Sequence, residues 1–399
     1  MPTLVPRLHS GHGANRLIQL DVLRGLAILL VIFRHAIIPW SKAGILRYPM
    51  LGLWHLGWTG VDLFFVLSGF LIGGLLFTEI RTTGRLDVGR FLVRRGFKIW
   101  PAYFIFLAVV FLRLVHDEGV HAATLSIAPN LIHLQNYLGS PRGITWSLAV
   151  EEHFYLALPL FLMLATSDWR RRASIPAIPW AAAVLIVGCT AWRIVSNYRR
   201  PFEMYTHLTP THLRIDGLFF GVLLAYLHYM HPRRLAWVTR YRAALLATGI
   251  ALIAPMALVD QTGSPLIWTF GFTSLYLGYG AILLAFVYTT PGQGLSGNLL
   301  NTPPAAALAW IGIFSYSIYL WHLDLGAAPV EKWLLPHVPT RITSLFWLVG
   351  TTAYVFAAIA GGVLASKVIE MPVLALRERL FPPRQTTSAM PAPAATLHI

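Results

Sequence analysis

Apolar residues in this chain gather into long runs rather than into the alternating or one-in-three patterns of water-soluble elements. Ten such stretches stand out, at 17–39, 57–78, 99–115, 147–165, 178–196, 212–229, 243–259, 266–288, 305–325 and 342–365. Each approaches the roughly 20 residues a helix needs to cross a bilayer. The pattern therefore predicts an all-α, polytopic integral membrane protein of about ten transmembrane helices. The first run contains Arg24 and Arg34 and meets no small-residue cleavage site, so it reads as a retained helix rather than a signal peptide.

The basic residues between the runs divide unevenly. With the N-terminus inside, cytoplasmic segments hold about 19 Lys and Arg and outer loops about 9. That bias predicts two cytoplasmic termini and an inner (plasma) membrane location, although the Arg193, Arg199, Arg200 group runs against it. The expected organisation is a cytoplasmic tail over 1–16, a membrane domain over 17–375 and a second cytoplasmic tail over 376–399. After Phe381 that tail is rich in Pro, Ala, Ser and Thr, a composition that predicts disorder.

Composition narrows the class. Of 399 residues, 56% are hydrophobic and 12% are charged, about half the charge of a soluble domain, which argues against a soluble enzyme. One cysteine, Cys189, leaves no disulfide within the chain and no thiolate metal site, and no other metal-ligand spacing is evident. The net charge of +15 fits basic loops facing anionic lipid headgroups better than it fits nucleic acid.

Charge inside the apolar runs carries the functional signal, because an ionised side chain in hydrocarbon must be paired or line a wet cavity. Arg24 and His35 lie eleven residues apart, three helical turns plus about 20°, so they share a face some 16 Å apart. Asp21 can pair with Arg24. Asp62 sits in an aromatic run, a candidate to orient a protonated His35 or to cap a helix. Gly69 and Gly73 there, like Gly217 and Gly221 after Arg214-Ile215-Asp216, have small-xxx-small spacing suited to close helix approach. Arg90, Arg94, Arg95 and Lys98 form a basic cluster ahead of Tyr103, fit for a phosphorylated ligand but also expected of positive-inside topology. Trp146-Ser147 leads into Glu151-Glu152, where Ser147, Glu151 and Tyr155 share a helical face. Adjacent carboxylates suit acid–base chemistry or an N-terminal cap. Late in the chain, Ser315-Tyr316-Ser317-Ile318-Tyr319-Leu320-Trp321-His322 mixes belt aromatics with a histidine.

In order, these motifs resemble a membrane acyltransferase of the acyltransferase-3 family, over about residues 17–375. They are Leu-Asp-x-Leu-Arg-Gly-x-Ala, Gly-Val-Asp-x-Phe-Phe-Val-Leu-Ser-Gly-Phe, Arg-Arg-x-x-Lys-Ile-x-Pro-x-Tyr, Trp-Ser-Leu-x-Val-Glu-Glu-x-Phe-Tyr, Arg-x-Asp-Gly, Ser-Tyr-Ser-x-Tyr-Leu-Trp-His and Glu-Met-Pro. The resemblance implies O-acylation of an extracytoplasmic or lipid-linked glycan, of exopolysaccharide or O-antigen type, from cytoplasmic acetyl-CoA. It assigns Arg24 and His35 to the family's essential arginine and histidine. It also assigns Arg94, Arg95 and Lys98 to its basic motif, and Trp146, Ser147, Glu151 and Glu152 to its Trp-Ser-Leu…Glu-Glu block. Lys98 departs from the family's more usual arginine, and the C-terminal esterase-like domain of some members is not expected here.

The resulting expectation has donor phosphates held by Arg24, Arg90, Arg94, Arg95, Lys98 and Tyr103. The pantetheine arm then runs inward to His35, acting as base or as acyl carrier. Glu151, Glu152 and Asp62 would orient His35 or carry its proton, and Trp146, Ser147, Tyr155 or His322 would meet the acceptor or oxyanion. A transporter or flippase also fits charged midplane residues, and is distinguished by releasing no CoA thiol.

Overall fold

The computed structural model describes residues 17–165, 175–259, 264–341 and 343–382, and among these it contains helices and no strand. The principal helices are α1 (Ile18–Arg34), α2 (Arg47–Gly57), α3 (Gly60–Thr83), α4 (Val88–Glu118), α5 (Val120–Leu131), α6 (Trp146–Ala165) and α7 (Ala177–Arg199). There follow α8 (Ile215–Met230), α9 (Val238–Ile253), α10 (Phe272–Val287), α11 (Pro303–Ile313), α12 (Ser315–Trp321), α13 (Thr343–Ala365) and α14 (Met371–Leu380).

All ten apolar stretches contain helix, but their lengths differ. Among the described residues, seven helices are long and apolar enough to cross a membrane. The count becomes eight if α11 and the segment Ser315–His337, bent by 66°, form one crossing. By contrast α1 has 17 residues and α8 has 16, about 25 Å of helix each. The chain is thus a multi-pass membrane protein, with seven or eight full-length spans among the described residues against the ten expected.

Without a hydrophobic drive between helices in lipid, close association relies on small residues. A Cβ on Gly69 would lie 1.9 Å from the Leu218 carbonyl oxygen, and one on Gly221 2.3 Å from that of Val66. These clashes show why α3 and α8 need glycine where they cross. Glycines draw α1 to α11 in the same way: a Cβ on Gly25 would meet the Leu308 oxygen at 2.1 Å, and one on Gly312 the Asp21 oxygen at 1.9 Å. α13 packs on α12, so that His322 and the π-helical turn it begins (His322–Ala327) are held against the bundle.

Buried charge ties α3, α7 and α8 together. Arg214 donates to Asp62 at 2.6 Å and Arg193 to Asp216 at 2.7 Å. The Arg214 guanidinium lies 3.9 Å from the Phe272 ring centre and 5.3 Å from that of Trp146.

The first residues of the segment beyond 375 are helical. Residues 376–380 complete α14, which docks on α4: Arg94 donates to Glu378 at 3.1 Å and to the Phe381 carbonyl, and Arg90 to the Pro382 carbonyl. These bonds give an otherwise polar segment a partner. Residues 383–399, where disorder is expected, and the N-terminal tail, 1–16, lie outside the described residues.

Candidate active site

A cavity of about 160 Å³ opens between α1, α3, α4, α6 and the α11–α12 bend. α3 follows it from Ile72 to Val61, eleven residues or about 16 Å, the same rise that separates Arg24 from His35 on α1. Three cations line it: Arg24, Arg95 and Lys98. Arg95 lies 5.8 Å from the Tyr155 ring centre, and Tyr155 is held by Ser68 at 2.9 Å. Towards Val61 the wall consists of Phe64, Ser147 and Tyr319. Ser147 Oγ is 2.6 Å from Tyr319 Oη, which donates to the Ile144 carbonyl at 2.7 Å.

Behind Tyr319 stand two histidines. The Tyr319 and His322 ring centres are 6.1 Å apart, and those of His322 and His35 are 5.0 Å apart. His35 caps the C-terminal end of α1 and is half-buried, with Nδ1 2.9 Å from the Val31 carbonyl oxygen. Neither histidine lines the cavity, and Tyr319 is the lining residue in ring contact with His322.

The profile of the acyltransferase-3 family, described as an acyltransferase domain, matches residues 17–367. The chain belongs to that family. Among curated relatives, the provisionally named peptidoglycan O-acetyltransferase YrhL of Bacillus subtilis (strain 168) is 30% identical over 338 residues, 78% of this chain and 49% of the relative. The Peptidoglycan O-acetyltransferase OatA of Listeria monocytogenes serovar 1/2a is 28% identical over 332 residues, 77% of this chain and 49% of the relative. The chain spans about half the length of the curated relatives it matches. No solved structure matches it.

Within the structure, the residues singled out from sequence separate into two sets. Arg24, Arg95, Lys98, Ser147, Glu151 and Tyr155 converge on the cavity, and Tyr155 donates to Glu151 at 3.1 Å. Arg24 also pairs with Asp21 at 3.5 Å, as the three-residue spacing predicts.

The others lie elsewhere. Arg90 and Arg94 hold α14 and the chain just past it. Tyr103 is buried in an amide network, donating to the Asn130 carbonyl at 3.0 Å and accepting from Gln135 at 3.1 Å. Glu152 is about 100° around the helix from Glu151 and accepts the Trp100 indole N–H at 3.1 Å, so the two carboxylates face different partners. Asp62 bonds Arg214 rather than His35, and Trp146 stacks on that arginine.

Sequence reasoning missed Glu370 and Ser68 as parts of the site. Glu370 binds the Lys98 ammonium and accepts from Ser317 at 2.6 Å and Ser366 at 3.1 Å. The closing Glu-Met-Pro motif was the available signal for Glu370. Ser68 lay in view beside Gly69.

Proposed function

We propose that this protein is an O-acetyltransferase of the inner membrane that moves acetyl from cytoplasmic acetyl-CoA to a hydroxyl of a peptidoglycan-type glycan. The single observation that carries this reading is the cavity itself. Cations line a channel of pantetheine-like length, and its far wall is one aromatic ring in front of two contacting histidines.

Arg24, Arg95 and Lys98 are suited to the donor's phosphates, Arg by its planar fork and Lys as a compact charge. The apolar stretch from Leu71 to Phe64 suits an uncharged pantetheine arm. Tyr319 must swing aside for the thioester to reach His35. Its two hydrogen bonds, to Ser147 and Ile144, hold it in the closed position. His35 then acts either as base towards the acceptor hydroxyl or as transient acyl carrier. The relatives' printed names favour peptidoglycan over the exopolysaccharide or O-antigen expected at first.

The test uses full-length protein in liposomes with acetyl-CoA and base-treated peptidoglycan fragments, following free thiol and ester formation. Wild type should release thiol in step with ester, and His35→Ala should do neither. Transfer by His35→Ala at the wild-type rate, or glycan movement without thiol release, overturns the reading, the second in favour of a transporter.

A further inference from the structure

His35 is not alone behind Tyr319, and the hydrogen-bonding of the two rings fixes what each can do. His35 Nδ1 lies 2.9 Å from the Val31 carbonyl oxygen, and His322 Nδ1 lies 2.7 Å from that of Tyr319. A carbonyl oxygen only accepts, so both Nδ1 atoms carry hydrogen and both neutral rings keep their lone pair on Nε2. His322 is 0% exposed, and among the described residues its Nε2 has no hydrogen-bond partner. Buried polar atoms left open in this way call for an explanation.

The chemistry supplies one. If acetyl is carried on His35 Nε2, that ring has spent its only lone pair, while its Nδ1–H stays bound to Val31. The attacking hydroxyl then needs a different base. The candidate carboxylates are engaged: Glu151 with Tyr155, Glu152 with Trp100, Asp62 with Arg214, and Asp324, two residues past His322, with Arg113 and Arg142. The imidazole in ring contact with His35 is His322.

We propose that His322 is a second catalytic base, which takes the proton of the acceptor hydroxyl while His35 carries the acetyl group. The assignment rests on the acetyl-transfer reading above. In the first step His35 Nε2 attacks the thioester carbonyl, the C–S bond breaks, and the thiolate leaves. In the second, the hydroxyl proton passes to His322 Nε2 as the oxygen bonds the acetyl carbon. The C–N bond breaks, and its electron pair returns to His35. His322 then gives its proton to the thiolate, so that thioester and alcohol become ester and thiol. Two imidazoles in contact thereby divide nucleophilic and base roles that one Nε2 cannot fill together.

The experiment treats full-length wild type, His35→Ala, His322→Gln and His322→Ala with radiolabelled acetyl-CoA, with and without base-treated peptidoglycan fragments. Each reaction is rapidly quenched to count thiol released and acetyl bound to protein. His322→Gln should give a stoichiometric burst of thiol and accumulate acetyl-protein, with turnover falling by about 10²–10⁴-fold. His35→Ala should give no burst. Added imidazole should restore the second step in His322→Ala, a rescue that a purely structural role does not give. The proposal is overturned if His322→Gln turns over like wild type. It is also overturned if folded His322 variants, judged by thermal unfolding and acetyl-CoA binding, lose the burst, or if folded His322→Ala gains nothing from imidazole. Absence of thiol release by wild type strikes the acetyl-transfer reading itself, a separate outcome.

Discussion

Glu370→Gln isolates the contact that sets Lys98 in the cavity wall. Glu370 is 4% exposed; one carboxylate oxygen takes the Lys98 ammonium and the other takes Ser317 at 2.6 Å and Ser366 at 3.1 Å. Glutamine keeps an oxygen for the two hydroxyls but turns an N–H₂ towards the ammonium, donor against donor. Breaking a fully buried ion pair from one side costs about 3–5 kcal/mol. The Lys98 side chain is 30% exposed and can rehydrate, so the expected loss is about 2 kcal/mol, the scale of one charge-assisted hydrogen bond. Lys98→Met strands a nearly inaccessible carboxylate and should cost more, about 3 kcal/mol or above. Unfolding in mixed micelles should give a double variant less destabilised than the sum of the singles, by about 1–2 kcal/mol. Acetyl-CoA affinity should hold or rise in Glu370→Gln, where Lys98 is released, and fall in Lys98→Met. Strict additivity would refute the ion-pair account. Equal loss of donor affinity in both single variants would remove Lys98 from donor binding.

Other outcomes follow from the same geometry. Gly69→Ala should lower stability by about 1–3 kcal/mol through overpacking, because its Cβ meets Leu218 at 1.9 Å; Gly188→Ala, with nothing within 4 Å, should not; thermal unfolding compares them. Arg24→Ala should weaken acetyl-CoA binding and flatten its dependence on salt, read by titration at two ionic strengths. Arg94→Ala should loosen α14, detected as faster proteolysis after residue 370, while leaving donor affinity close to wild type, since Arg94 faces Glu378 and Phe381. Tyr319→Phe deletes the hydroxyl that binds Ser147 and Ile144 and should speed acetyl-CoA association in stopped-flow measurements.

The helical class, the membrane setting and the α3–α8 glycine crossing were legible because hydrocarbon solvent imposes them on local sequence: long apolar runs, and glycine at four-residue spacing. The α1–α11 crossing through Gly25 and Gly312 carries no such spacing. Helical phase also put Ser147, Glu151 and Tyr155 on one face. Partnerships across the sequence were not legible. Arg90 and Arg94 read as phosphate ligands because nothing near them reveals that Glu378 and the Phe381 and Pro382 carbonyls complete them from the far end of the chain. Asp62 read as a partner for His35 because both are polar residues in apolar runs, whereas the α3–α8 crossing brings it to Arg214. Glu151 and Glu152 read as a pair through adjacency, a relation that a helix turns apart by about 100°. His322 was singled out, but its contact with His35 depends on the bend after α11, which no periodicity signals.

The most direct measurement is a structure of the full-length protein with a non-reactive acetyl-CoA analogue. The account predicts phosphates against Arg24, Arg95 and Lys98, the Tyr319 ring displaced, and the acetyl carbon about 3–3.5 Å from His35 Nε2. An acetyl group that stops beside Glu151 with Tyr319 still closed, or phosphates bound away from these three cations, would contradict it.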